Sequence, residues 1–164
     1  MTSQEPDVIA YTDGGCRGNP GPGGWGFILI NTVSNKALER CGGERETTNN
    51  RMEMLAAIEA LKAIKKPGLK IRLHTDSQYL VKSMTEWIPG WKARGWKKRE
   101  GELKNVDLLQ ELDRLNQVHR VSWQWVKGHA GDTGNERADA LTNKAMDAVQ
   151  GGKDPTWEGR RTWP

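Results

Sequence analysis

Val8-Ile9-Ala10-Tyr11-Thr12-Asp13-Gly14-Gly15-Cys16-Arg17-Gly18-Asn19-Pro20-Gly21-Pro22-Gly23-Gly24-Trp25-Gly26-Phe27-Ile28-Leu29-Ile30 is the stretch that decides the fold. Two short, partly β-branched apolar runs flank a dozen residues dominated by Gly and Pro, which predicts strand, long glycine-rich turn, strand. Asp13 is expected to end the first strand, where an acid can face a ligand while a sheet holds its backbone. On its own, an Asp-Gly pair more often starts a turn through its side chain. A functional reading of Asp13 therefore depends on whether other acids join it.

Downstream, Lys36 to Cys41 alternates and stops at Gly42-Gly43, which predicts a third antiparallel strand. Thr47-Thr48-Asn49-Asn50 supplies cap residues for a helix from about residue 50 to 65, ended by Lys65-Lys66-Pro67-Gly68. Met54, Ala57, Ile58, Leu61 and Ile64 form its apolar stripe, and Glu53 sits at the edge of that stripe. Asn50-x-x-Glu53 also fits a capping box, and for Glu53 by itself capping is the simpler reading. Leu69, Ile71 and Leu73 alternate in a strand ending at Asp76, followed by a helix from Gln78 to Ile88 that Pro89-Gly90 should halt. The β-α-β alternation makes this strand parallel to its neighbours. Asn105 is expected to cap a helix carrying Leu108, Leu109, Leu112 and Leu115, and Val121, Trp123 and Trp125 mark a last strand. The loop from Lys127 to Glu136, which contains His129, opens a final helix to about Val149 with Asp139 in its first turns. Residues 150–164 show no periodicity and are expected to be a mobile tail.

At 164 residues the chain is expected to form one domain over 1–149. Residues 1–7 lack a basic start followed by an apolar segment, and no uninterrupted apolar run, Phe27 to Ile30 included, can span a bilayer. A cytoplasmic protein is expected, with Cys16 and Cys41 as thiols, and nothing calls for a protein partner or more than a monomer. The net charge is +4, and residues 91–104 hold six basic and two acidic residues, so the other 19 basic and 19 acidic residues balance. This segregation favours a polyanionic partner. Trp87, Trp91 and Trp96 lie among these cations, either as a small core of their own or as a nucleic-acid surface, and the two readings are compatible.

Asp13, Glu53, Asp76 and Asp139 all fall at positions that an open α/β sheet can bring to one crevice. Two carboxylates about 4 Å apart repel by roughly 4 kcal/mol at an effective dielectric near 20, so convergence would require cations. An oxygen-only set suits Mg²⁺ first, with Mn²⁺ as substitute.

Spacing alone does not establish that convergence. Thr12-Asp13-Gly14-Gly15 with Gly18-Asn19-Pro20-Gly21-Pro22-Gly23-Gly24, Thr48-Asn49-Asn50-Arg51-Met52-Glu53, Thr75-Asp76-Ser77-Gln78, and Trp125-Val126-Lys127-Gly128-His129 with Asn135-Glu136-Arg137-Ala138-Asp139 occur in that order. Over residues 8–149 the chain thereby resembles ribonuclease HI, the bacterial type 1 ribonuclease H. The Trp-rich basic segment 87–104 resembles the family's handle protrusion.

The resemblance implies a five-stranded mixed sheet flanked by helices, and endonucleolytic cleavage of the RNA strand of RNA/DNA hybrids to 3′-hydroxyl and 5′-phosphate ends. It implies that Asp13, Glu53, Asp76 and Asp139 hold two Mg²⁺ ions about 4 Å apart. His129 would aid proton transfer or product release, although a loop histidine by itself carries no such role. By the same resemblance Asn19, Asn49 and Gln78 would contact sugars and base edges, and Thr48 a DNA phosphate. Trp87, Lys92, Arg94, Trp96, Lys97 and Lys98 would line the handle's contact with the DNA strand. Leu109, Ala93 and Asp132 depart from the pattern, the last by placing an acid in the His129 loop. Two other readings are a module that binds nucleic acid without cutting and another nuclease of the same superfold. The four acids argue against the first, and the Thr48–Glu53 motif and the handle against the second.

Overall fold

The computed structural model describes residues 5–127 and 132–164. Six strands form one mixed sheet in the order β5-β4-β1-β2-β3-β6. β1 (Val8–Cys16), β2 (Gly21–Asn31) and β3 (Lys36–Thr47) form an antiparallel meander. β4 (Lys70–Thr75) runs parallel to β1, and β5 (Arg120–Trp125) parallel to β4, as the β-α-β alternation predicts. α1 (Asn49–Ala63) and α4 (Val106–Val118) cover one face, over a core that includes Phe27, Leu61, Leu73, Leu80 and Leu109. On the other face α5 (Thr133–Gln150) packs Ala138, Leu141 and Ala145 onto Ile28, Ile30 and Ala37. Among the described residues no helix is long and apolar enough to cross a membrane.

Several expectations are corrected. The sheet has six strands rather than five, because the segment expected to be a mobile tail contains β6 (Trp157–Thr162), antiparallel to β3. The partner strand supplies the order that local periodicity does not show. Secondly, Asp13 does not end β1: the ladder continues through Gly14, Gly15 and Cys16, opposite Trp25, Gly24 and Gly23. Only residues 17–20 remain as a turn between the strands. Similarly, β3 runs past Gly42 and Gly43 to Thr47. Thirdly, Pro89 does not stop the helix that begins at Gln78. The helical run goes from α2 (Gln78–Lys82) through a π turn at Ser83–Trp87 into α3 (Ile88–Ala93), with Pro89 in the first turn of α3 immediately after the π turn, which breaks the regular α hydrogen-bond ladder there. Fourthly, Asn105 precedes α4 but does not cap it with its side chain; its backbone is left-handed, with φ 63°.

Candidate active site

Gly14 determines how close the first helix comes to the sheet. A Cβ at that position would lie 2.3 Å from the Met52 carbonyl carbon and 2.5 Å from the Glu53 amide nitrogen, so only glycine lets the start of α1 rest on β1. That contact brings Glu53 beside Asp13. Thr48, not Asn50, caps α1, its hydroxyl accepting from the Arg51 N–H at 3.3 Å. Glu53 is therefore not the second half of a capping box, and its carboxylate turns into the site.

Asp76 joins the pair from the loop after β4. Asp13, Glu53 and Asp76 each offer a carboxylate oxygen, and these atoms lie within 4.8 Å of one another. Asp139 stands outside that set, although its charge reaches Asp13. It is carried on α5, whose approach to β2 depends on Gly26, the cross-strand partner of Asp13. A Cβ on Gly26 would sit 2.7 Å from the Leu141 Cβ.

Asp13 and Glu53 resist ionisation. Burial, then the charges of Asp76 and Asp139, push Asp13 up to about 7. Burial, reinforced by Asp13 and Asp76, holds Glu53 well above the usual carboxylate range. One Glu53 oxygen, Oε1, is buried without a hydrogen-bond partner. An unpaired buried acceptor is costly, and it is the atom a cation would satisfy.

The amide residues cluster at the rim. Asn49 Oδ1 accepts from the Cys16 N–H at 2.8 Å, and the Asn49 N–H donates to Asn19 Oδ1 at 3.1 Å. With its oxygen engaged, each amide has its NH₂ to offer as a donor. Gln78 opens α2 on the exposed surface two residues after Asp76. His129 lies outside the described residues.

The handle is both a small core and a charged surface. Tyr79, Trp87 and Trp91 form a chain of rings with centroid spacings of 5.7 Å, with Trp91 buried and Trp87 37% exposed. Trp96 packs against the main core, and Arg94, Lys97, Lys98 and Arg99 face solvent. A cleft of about 740 Å³ lies between the rings, Asn50 and the cations Arg94, Lys98, Arg99 and Lys104. Lys92 is used internally, in an ion pair with Asp113 of α4 at 3.0 Å.

The RNase H family model matches residues 5–147. The chain belongs to the RNase H family. As a member it is an endoribonuclease. A ribonuclease H from Cupriavidus necator is 56% identical over 144 residues, which cover 87% of this chain and 97% of that one. One from Bordetella pertussis is 54% identical over 145 residues, covering 88% and 92%. Among solved structures, LC9-RNase H1, described as a type 1 RNase H with the type 2 active-site motif, is similar with TM-score 0.78 and 35% identity, over 91% of this chain and 74% of that one. LC11-RNase H1 in complex with an RNA/DNA hybrid has TM-score 0.67 and 27% identity, over 87% and 99%.

In this RNase H chain several residues escaped the sequence reading. The Thr142 hydroxyl lies against Asp13 and also reaches the Ala138 carbonyl at 3.0 Å. Thr142 is three residues after Asp139, a spacing that puts both on one helix face and could have signalled it. The Trp125 indole N–H donates to the Asp76 carbonyl at 3.1 Å, and no local pattern announces that contact. Asp132 is the N-cap of α5, accepting from the Asn135 N–H at 3.0 Å, so this departure from the family pattern has a structural use.

Proposed function

We propose that this chain hydrolyses the RNA strand of RNA/DNA hybrids endonucleolytically, leaving 3′-hydroxyl and 5′-phosphate ends. The observation that carries the reading is the set formed by Asp13, Glu53 and Asp76, with one buried oxygen lacking a partner and two carboxyl groups resisting ionisation. The relative LC11-RNase H1, solved with an RNA/DNA hybrid, supports the substrate class.

The donor set fits hard divalent cations, Mg²⁺ before Mn²⁺, because it is all oxygen. Asp13, Glu53 and Asp76 would hold them, with Asp139 completing the set from α5. Two such ions, when bound, supply a nucleophile at neutral pH and neutralise charge on the leaving oxygen. The chain's own residues do the rest. Asn19 and Asn49 present amide donors, and Gln78 a full amide, to minor-groove sugars and base edges, where the 2′-OH distinguishes RNA from DNA. The Thr48 oxygen accepts from the backbone while its proton stays available to a DNA phosphate. Trp87, Arg94, Trp96, Lys97 and Lys98 form the handle's surface for the DNA strand, whose phosphates give affinity without sequence preference. Lys92 can join them by exchanging Asp113 for a phosphate. His129 is assigned to proton transfer or product release.

The test is cleavage of a defined hybrid labelled on its RNA strand, with Mg²⁺ and with chelator, beside matching RNA/RNA and DNA/DNA duplexes. Cutting confined to the hybrid's RNA and abolished by chelator is expected. Equal cutting of either homoduplex would replace this reading with another nuclease of the superfold, and binding without cutting would make the chain a hybrid-binding module.

A further inference from the structure

Arg51 begins in the helix that carries Glu53 and ends on the root of the handle. Its backbone lies in the first turn of α1, two residues before Glu53. Its guanidinium leaves that helix: Nη1 donates to Asn105 Oδ1 and to Asp107 Oδ1, both at 3.1 Å, and Nη2 donates to Asp107 Oδ2 at 2.9 Å. Asn105 is the residue at which the basic segment rejoins the body, and Asp107 is in the first turn of α4.

The details at Asn105 point to a built junction. Asn is among the best capping residues, yet this one leaves α4 uncapped by its side chain, adopts a left-handed backbone and gives its oxygen to Arg51. The pair with Asp107 is a two-point fork, a geometry that fixes angle as well as distance and that lysine cannot reproduce. In the free protein a second ion pair, Lys92 to Asp113, joins the other limb of the handle to the same helix.

We propose that Arg51 is a positioning residue that sets the distance and angle between the handle and the carboxylate cluster, so that a hybrid gripped by the handle presents its scissile phosphate in register with Asp13, Glu53 and Asp76. The inference rests on the hybrid-cleavage reading above. Arg51 acts on substrate through Asn105 and Asp107. A misplacement of about 1 Å at a reacting centre can cost on the order of 100-fold in rate, so loosening this tie affects the chemical step more than binding. As a partly exposed ion pair it contributes little to stability, which separates the two roles experimentally.

The experiment uses the full chain on one defined hybrid and compares the unaltered protein with Arg51→Gln, Asp107→Asn, the double variant and Arg51→Lys. Thermal midpoint, hybrid Kd, its salt slope, single-turnover rate and cleavage positions are measured. Arg51→Gln and Asp107→Asn should each lower the single-turnover rate by about 10-fold or more and spread the cuts to neighbouring phosphates, with Kd and salt slope unchanged. The double variant should lose no more than either single one, and Arg51→Lys should not restore the rate. In a background with Lys97, Lys98 and Arg99 changed to Gln, Arg51→Gln should have little further effect.

Intact turnover in Arg51→Gln would overturn the proposal, as would a loss in Arg51→Gln that Asp107→Asn does not share. A weaker Kd with a shallower salt slope would show Arg51 holding a phosphate itself, which also overturns it. If the unaltered protein does not cut the hybrid, the functional reading fails instead, so the two failures are distinguishable.

Discussion

At the scale of single residues, the carboxylate cluster links catalysis to stability with opposite signs. Unfolded aspartate titrates near pH 4, whereas Asp13 in the folded chain titrates at about 7. Between those values the folded state keeps a proton that the unfolded chain has lost. This contribution is complete below about pH 4 and is lost as pH rises through about 7. Glu53 acts in the same direction. Asp107, Glu111 and Glu158, held low by Arg51, Arg114 and Arg40, act the other way, but they are at least partly exposed and screened. Burial holds His74 and His119 below the usual imidazole range, so they too act the other way, losing stability as pH falls. The cluster's share is therefore isolated by comparison with Asp13→Asn: in chelator the unaltered protein's midpoint should fall relative to that variant's from pH 5 to pH 8, and Mg²⁺ should raise the unaltered protein's midpoint most at pH 8. A difference between the two midpoints that does not change from pH 5 to pH 8 would contradict this account. Asp13→Asn should flatten the pH dependence and raise the metal-free midpoint at pH 8, while lowering hybrid cleavage by more than about 100-fold, the upper end for losing a group that only supports a metal ligand. Binding of the hybrid should survive, since the phosphate contacts are elsewhere. Cleavage retained in Asp13→Asn would move the reaction away from this cluster.

At the scale of elements, the handle and β6 make separable contributions. Changing Lys97, Lys98 and Arg99 to Gln should weaken hybrid binding and reduce the slope of log K against log salt by about 0.9 for each phosphate left without its cation, taking the duplex-DNA value. Lys92→Gln should change that slope less, because Lys92 is already neutralised by Asp113. A salt titration by fluorescence anisotropy distinguishes them. β6 is fastened to α5 and β3 rather than to the handle. Arg161 and Arg137 converge on the buried Glu39, with Nε to Oε2 distances of 3.4 and 2.7 Å, and Trp157 lies beneath Arg137 and Lys144. Removing residues 151–164 would leave Glu39 with Arg137 as its cationic partner. Weakening the pairing of a buried charge costs on the order of 1–3 kcal/mol, and each kcal/mol lowers the midpoint of a domain this size by about 2–4 °C. Calorimetry should show that fall, and an unchanged midpoint would mean that β6 is only laid on the surface.

At the scale of the whole molecule, the sequence made the layered α/β plan, and with it the position of Asp76 after its strand and of Glu53 in the first turns of its helix, legible for a simple reason. Alternating apolar residues define Leu69 to Leu73 as a strand, the helical stripe from Met54 to Ile64 orients Glu53, and both are local properties. What it hid is non-local. Gly14 reads as part of a turn because its use, admitting the backbone of α1 within touching distance, depends on a helix more than thirty residues away. Glu53 read as a cap because its true surroundings are Asp13 and Asp76. β6 read as disordered because its order derives from pairing with a strand more than a hundred residues earlier. That pairing also bears on solubility during synthesis. β3 precedes β6 in the chain, so until the last strand is made the meander carries an open edge with apolar Ala37 and Leu38 among its polar groups. Such an edge can pair with the same edge of another chain. β6 then covers that edge, and the new edge carries the charged side chains of the Glu158–Arg160 ion pair, which discourage further pairing. β6 would then act as a stopper on self-association: chains cut before Trp157 should elute as oligomers in size-exclusion chromatography, while chains that carry β6 stay dispersed.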